Sequence, residues 1–199
     1  MKKDLPTTFK ESIEALGPEV ERATATFVNR VVESGAVDVS YCAVDSPFGP
    51  MLAATAHKGL VMLSYDTGED RLEELSSKVS PRILEAPLDE VRRQLDEYFE
   101  GHRQAFDLHL DLQLSRGFAL RVLRTTSRIP FGEVSTYRDV ARKAGNDRAS
   151  RAAGNALGAN PIPIVVPCHR VVRTGGGLGG YTGGLGRKEW LLRLEGALS

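Results

Sequence analysis

The chain has 199 residues, 41% of them hydrophobic and 26% charged, with a formal net charge of zero. That is the make-up of a soluble globular protein large enough to bury a core; it excludes a disordered chain, a collagen-like repeat or a disulfide-stapled miniprotein. Two cysteines, Cys42 and Cys168, make no disulfide framework, which points to a reducing, cytoplasmic setting. The opening Met1-Lys-Lys-Asp-Leu-Pro lacks an apolar run after its basic residues, so no secretory signal is expected, and nothing approaches the length of a membrane span.

The zero conceals two opposed blocks. Met1 to Ser115 carries 12 Lys+Arg against 21 Asp+Glu, a balance of −9, and Arg116 to Ser199 carries 14 against 5, a balance of +9. An unevenly solubilised surface is the plain alternative, but a split this large in so short a chain favours two domains, the Arg-rich one facing a polyanion.

In chain order, Phe9 to Glu33 reads as helical in parts, interrupted at Gly17-Pro18 and stopped at Gly35. Three strands follow, Val39 to Val44, Met51 to Thr55 and Leu60 to Ser64, punctuated by Pro47-Phe-Gly-Pro50 and His57-Lys-Gly59. Cys42 falls on the first strand and reads as a core residue. Asp70 to Lys78 predicts a short helix. Pro87 to Glu100 predicts a better one, with Leu88, Val91, Leu95 and Tyr98/Phe99 on one face and Gly101 after its end. Leu108, Leu110, Leu112 and Leu114 alternate with polar residues, the pattern of a last strand or of an extended linker.

Phe118 to Thr126 predicts a helix with Leu120, Val122 and Leu123 on its buried side, followed by a loop at Ile129 to Glu133. Thr136 is placed to cap a helix from Tyr137 to about Ala144, and a second helix runs from about Asp147 to Leu157, ending at Gly158. Two short helices around Gly145-Asn146 suit a helix-turn-helix and, equally, an ordinary αα-hairpin. The second helix tips the balance. Ala149, Ala152, Ala153, Gly154 and Ala156 leave a smooth surface ill suited to a core, from which Arg148 and Arg151 project; such a helix can lie close to another backbone, with nucleic acid the natural candidate.

Gly175 to Gly186 holds eight of the 20 glycines. It lacks the lysine-hydroxyl ending of a Walker loop, and no strand clearly precedes it. Tyr181, Thr182 and Leu185 are out of place in a flexible linker, so a loop whose backbone closely approaches a ligand fits better. The last helix, Arg187 to Leu194, is followed by Glu195, a carboxylate set against the helix dipole.

Cys168 ends the run Pro161-Ile-Pro-Ile-Val-Val-Pro-Cys-His-Arg170. A thiol becomes a nucleophile when a base takes its proton and positive charge steadies the anion. His169 and Arg170 adjoin it, and Glu195 is a distant carboxylate able to orient the imidazole, a triad-like set in which histidine is the base. Adjacency does not make side chains meet, and a bridging water between Cys168 and His169 is one arrangement. On these residues alone, catalysis and coincidence are evenly matched. Cys42, His57, His102 and His109 show no ligand spacing, so no metal is expected.

Pro-Cys-His-Arg-Val-Val at 167–172 and Phe-Gly-Glu-Val at 131–134 closely resemble the O6-alkylguanine-DNA alkyltransferase (methylated-DNA–protein-cysteine methyltransferase) family. So do Asn160-Pro, Tyr181-Thr-Gly-Gly-Leu and Lys188-Glu-Trp-Leu-Leu. The resemblance runs unbroken from Phe118 to Gly196 and is weaker from Val39 to Leu114. It implies an α+β protein of two domains: a small ribonuclease H-like α/β domain at 38–114 and a mostly helical domain with a helix-turn-helix at 115–199. The resemblance says little about residues 1–37, an N-terminal extension that reads as helical from its own residues.

The resemblance implies that such a protein binds duplex DNA through the minor groove, flips O6-alkylguanine out and transfers the alkyl group irreversibly to Cys168, once per molecule and without a cofactor. His169 would deprotonate Cys168 through a water, Glu195 would orient His169, Tyr137 would protonate guanine N3, and Asn160 would brace the cysteine's turn. Thr182 would hydrogen-bond O6 from its backbone, the carbonyls of Cys168 and Val171 would read the exocyclic amine, and Tyr181 and Gly183 would complete the base pocket. Arg151 would fill the gap left by the flipped base, with Arg148, Ser150, Thr136 and Tyr137 also on the DNA. The protein would act in the cytoplasm, at the nucleoid, as a monomer, with cooperative assembly along DNA left open. A sensor that binds the lesion without transfer is the alternative, which the presence of Cys168 disfavours; a Cys-His hydrolase unrelated to DNA leaves the charge split unexplained.

Overall fold

The computed structural model describes residues 17, 20, 22–28 and 30–198. Most of the expected N-terminal extension lies outside the described residues; within it, 22–28 and 30–33 are helical. Gly17 is itself helical, so the interruption expected there does not begin at that residue, and Pro18 is not described. The chain leaves the helix at Gly35, whose φ of 74° is a left-handed conformation that glycine adopts without strain.

Three strands follow: β1 (Val39–Val44), β2 (Met51–Ala56) and β3 (Gly59–Ser64). Helix α1 (Glu69–Lys78) then crosses over to β4 (Ile83–Glu85), and α2 (Asp89–Phe99) completes the unit. The sheet order is β3-β2-β1-β4, with β1 antiparallel to β2, β2 antiparallel to β3, and β4 parallel to β1. Three residues at an edge carry too little alternation to read as a strand, which is why β4 escaped the sequence. Both faces of the sheet are covered. Val39, Leu52, Ala54, Val61 and Met62 pack on Leu75 of α1. Cys42, Val44, Met51 and Ala53 pack on Val91, Leu95 and Tyr98 of α2, in a cluster that continues into the second half. Covered faces explain near-continuous apolar strands such as Leu-Val-Met-Leu.

The leucine run at 108–114 is an extended linker rather than a strand. A single bridge joins it to β3, where Leu60 N donates to His109 O (2.8 Å) and Asp111 N to Leu60 O (2.8 Å). The alternating leucines face the core while the chain passes from one domain to the other.

The second half packs α3 (Gly117–Thr126), α4 (Tyr137–Lys143) and α5 (Ser150–Gly158) against one another, with α6 (Leu185–Leu194) closing the chain. Val122 and Leu123 of α3 are buried, whereas Leu120 is only half-buried. Two short strands, β5 (Ser135–Thr136) and β6 (Val171–Val172), pair in parallel and tie the start of α4 to the residues after Cys168. A strand therefore does precede the glycine-rich loop. Thr136 caps α4 as expected: its Oγ1 accepts from Asp139 N (3.1 Å) and donates to the Asp139 carboxylate (2.7 Å).

Two expectations for α5 need correction. It begins at Ser150, not near Asp147, because the Asn146 side chain accepts from Arg148 N (3.2 Å) and organises a turn there. Arg148 thus stands in the turn and does not project from the helix. Nor is α5 a poor core helix: Ala153, Ala156 and Leu157 are buried against its neighbours. Small side chains here bring helix backbones together on one face while the other stays open. No helix among the described residues is long and apolar enough to cross a membrane.

Candidate active site

Cys168 opens a short 3-10 turn, Cys168–Arg170, reached along a constrained path. Ile164 has a φ of 74°, a conformation that costs a β-branched residue about 1–3 kcal/mol and persists only where the surroundings hold it. The holding group is Asn160. Its Oδ1 accepts from Ile162 N (3.1 Å), while its Nδ2 donates to Val166 O (2.9 Å) and to Cys168 Sγ (3.1 Å). One buried amide thus links the start of the proline-rich turn, its end and the thiol.

Glu195 is the second organising group. Its carboxylate accepts from Tyr98 OH (2.6 Å), His169 Nε2 (2.9 Å), and Arg170 Nε and Nη2 (2.8 Å each), all buried. These donors are the reason for a carboxylate against the dipole of α6. Burial works to raise the Glu195 pKa, but hydrogen bonds from His169 and Arg170 prevail and bring it down to about 2. Because the acceptor is ionised, His169 carries its proton on Nε2, an assignment made from this network. Burial holds the imidazole below its ordinary pKa, so it is neutral at pH 7. Its Nδ1, also buried, has no hydrogen-bond partner among the described residues. The arrangement is a neutral base with a fixed tautomer and a free lone pair.

The thiol itself is not activated at rest. Burial pushes Cys168 up to about 11, against the pull of Asn160 and the charge of Lys188. Arg170, adjacent in sequence and expected to steady a thiolate, instead grips Glu195 and donates to Ile129 O (2.5 Å). The nearby cation is Lys188, fully buried on α6 and itself lowered to about 8 by burial. Its ammonium donates to Val171 O, Leu178 O and Gly180 O, clamping the glycine-rich loop to β6.

A cavity of about 680 Å³ opens above the cysteine, bordered by Cys168, Tyr137, Arg151, Tyr181, Thr182 and Arg173. Ser150 also reaches it. Tyr137 OH donates to Gly180 O (3.2 Å), and a side chain on Gly179 (φ 72°) would meet the Tyr137 ring at 2.7 Å, so the loop approaches that ring as only glycine permits. Thr182 Oγ1 donates to Gly158 O (2.8 Å). Arg151 is exposed at the rim. Arg148, Thr136, Val171 and Gly183 do not border the cavity: Arg148 is on the outer turn, the Thr136 hydroxyl is engaged in its cap, the Val171 carbonyl already accepts from Lys188, and Gly183 lies beneath Tyr65 and Tyr181.

Sequence reasoning missed Tyr98, Lys188, Tyr65 and Arg173. Tyr98 stood among the apolar face of its helix, where nothing distinguishes a packing ring from a hydrogen-bond donor. Lys188 lay inside a quoted motif, but no local signal marks a lysine as buried. Among the described residues no group of three or more His, Cys, Asp or Glu side chains could hold a metal ion.

Two family profiles match the chain. The ribonuclease-like domain of 6-O-methylguanine DNA methyltransferase matches residues 39–112, and the DNA binding domain of the same enzyme matches 117–197. The methylated-DNA–protein-cysteine methyltransferase of Methanosarcina acetivorans is 41% identical over 157 residues, covering 79% of this chain and 98% of that protein. That of Mycolicibacterium paratuberculosis is 40% identical over 157 residues, covering 79% and 92%. Among solved structures, the Mycobacterium tuberculosis O6-methylguanine methyltransferase superposes with a TM-score of 0.68 at 36% identity, covering 81% of this chain and 94% of that one. The OGT of the same organism in complex with DNA gives a TM-score of 0.68 at 36% identity, covering 79% and 93%.

Proposed function

Because the chain belongs to the 6-O-methylguanine DNA methyltransferase family, we propose that Cys168 takes the alkyl group of O6-alkylguanine in duplex DNA, in a single irreversible displacement. The observation that carries this reading is a buried thiol at the floor of a nucleobase-sized cavity, beside a neutral histidine whose tautomer a buried carboxylate fixes. DNA is the partner: the DNA binding domain spans the Arg-rich half of the chain.

In the reaction, His169 Nδ1 accepts the Cys168 proton through a water, and the sulfur attacks the alkyl carbon in line with the bond to O6. The S–C bond forms as the C–O6 bond breaks, and its electron pair passes into the guanine ring. Tyr137 gives a proton to N3, so the leaving base departs neutral. The thiol proton thereby replaces, within the site, the one given to the base. A thiol held protonated until a base takes its proton is protected from indiscriminate alkylation. Asn160 holds the sulfur on its turn, Thr182 and the Cys168 carbonyl orient the base, and Tyr181 forms the wall with Gly183 packed beneath its ring. The Val171 carbonyl, engaged by Lys188, anchors the glycine-rich loop instead of reading the base.

The small side chains of α5 and the exposure of Arg151 at its N-terminus support entry of this helix into the minor groove, with Arg151 occupying the gap in the stack. Ser150 and Arg148 lie at that end of α5 and Thr136 at the N-terminus of α4; they would meet the sugar-phosphate backbone, Thr136 through its main chain because its hydroxyl is engaged in the cap. The thioether product has no easy exit, so each monomer reacts once. The test is intact mass after incubation with a duplex containing one O6-methylguanine. One added methyl, about 14 Da, on the Cys168 peptide is expected. Binding without any mass change would make the protein a lesion sensor instead.

A further inference from the structure

The cavity above Cys168 has a thin wall. Thr182 borders it and also borders a second cavity of about 450 Å³, bounded on its far side by Met62, Leu63, Ser64 and Tyr65 of the first domain. Two contacts keep the spaces apart. One is the Thr182 hydroxyl bond to Gly158 O (2.8 Å). The other comes from the first domain: Tyr65 OH and Tyr181 OH share a hydrogen bond of 2.7 Å.

Tyr65 follows the last residue of β3, and its ring is fixed from several directions. Phe48 meets it edge-on with centroids 6.0 Å apart, and the Arg187 guanidinium lies 4.5 Å over its face while donating to Gly183 O (3.1 Å). Tyr65 and Tyr181 close on Gly183 so tightly that an added Cβ would sit 2.6 Å from one ring and 2.9 Å from the other. The Tyr181 ring in turn meets His169 edge-on, with centroids 6.4 Å apart. Burial raises both phenols above their ordinary pKa, so the pair stays uncharged across physiological pH.

We propose that Tyr65 is the positioning residue that sets how large an alkyl group the cavity admits, by holding Tyr181 in the wall beside Cys168. The inference rests on the alkyl-transfer reading. A group on guanine O6 must reach the sulfur, and Tyr181 and Thr182 border the space it occupies on arrival. A wall pinned from the first domain admits a methyl group and resists a bulky one. Released, Tyr181 can retreat toward the second cavity.

The test compares single-turnover transfer from duplexes bearing O6-methylguanine or O6-benzylguanine. The proteins are wild type, Tyr65→Phe, Tyr65→Leu, Tyr181→Phe and the double Phe variant. The benzyl-to-methyl rate ratio should rise on the order of tenfold in Tyr65→Leu and less in Tyr65→Phe. Adding Tyr65→Phe to Tyr181→Phe should change the ratio no further, because the hydroxyl pair is lost with either member. Should Tyr65→Leu fail to fold, Tyr65→Phe and the double variant still decide the matter. An unchanged ratio with both rates falling together would mean a structural role only and overturn the inference, as would additive effects of the two Phe changes. A wild-type protein that transfers neither group would overturn the transfer reading itself, and the inference with it.

Discussion

The two cysteines are almost equally hidden, Cys42 at 6% and Cys168 at 3% exposure, and both are free thiols. Cys42 sits in a regular strand opposite Ala53, among Val44, Met51 and other apolar side chains. Cys168 opens a 3-10 turn reached through a left-handed isoleucine, accepts a hydrogen bond from Asn160, and lies within the field of a buried lysine. Burial therefore does not separate a structural thiol from a reactive one. What separates them is the polar apparatus around the second: a neutral base, the carboxylate that fixes it, and a cavity opening to the outside.

The sharpest way to break this contrast is to remove each sulfur in turn. Cys168→Ala is expected to abolish transfer while leaving lesion binding intact, read by intact mass and by band shift with the same duplex. Cys42→Ala should leave the transfer rate unchanged and lower stability by about 1 kcal/mol, the cost of a small core cavity. Transfer surviving in the Cys168 variant, or lost in a folded Cys42 variant, would reverse the assignment.

Glu195→Gln tests the apparatus with the sulfur in place. A neutral amide leaves buried Arg170 without its counter-charge, a loss of about 3–5 kcal/mol in urea unfolding, and it no longer enforces the His169 tautomer. Transfer in single-turnover assays should fall by about a hundredfold. An equal stability loss with normal transfer would confine Glu195 to a packing role.

Acid sharpens the same point. His169 is held neutral below its ordinary value of 6.5, so the unfolded chain binds a proton first as pH falls, and stability begins to decline below about pH 6.5. Glu195, lowered from 4.5 to about 2, contributes stability that is present above pH 4.5 and lost progressively toward pH 2. Both act in one direction. Unfolding free energy should fall on acidification in two stages, whereas transfer in the folded protein should hold steady from pH 7.5 to 6.5, because the base is still unprotonated there. A transfer rate that halves by pH 6.5 would contradict the buried neutral histidine.

The smallest effect concerns the scaffold. Thr136→Ala removes the α4 cap and should cost about 1 kcal/mol by thermal or urea unfolding, with transfer by the folded fraction little changed. A loss of DNA affinity beyond that fraction would instead give the Thr136 side chain a part in binding.

Local chemistry made much of this protein legible in its sequence. The apolar strands β1 to β3, the amphipathic stripe of α2, Thr136 ahead of α4 and the halt at Gly158 each follow from patterns spanning a few residues. The motif around Cys168, with Asn160 and Glu195 in place, sufficed for the family. The strand β4 was not legible, because its three residues are defined by pairing with β1, not by their own pattern. The start of α5 was not legible either, since the Asn146 side chain outweighs helix propensity there.

Tertiary structure alone decided which charges meet. Arg170 turns from the thiol beside it to a carboxylate 25 residues away; Lys188 enters the core; Tyr98 crosses from the first domain to Glu195, and Tyr65 crosses to Tyr181. Propensity and periodicity act over one or two turns of chain. Desolvation and hydrogen-bond pairing act over a few ångströms of space, and only the folded chain brings those residues that close.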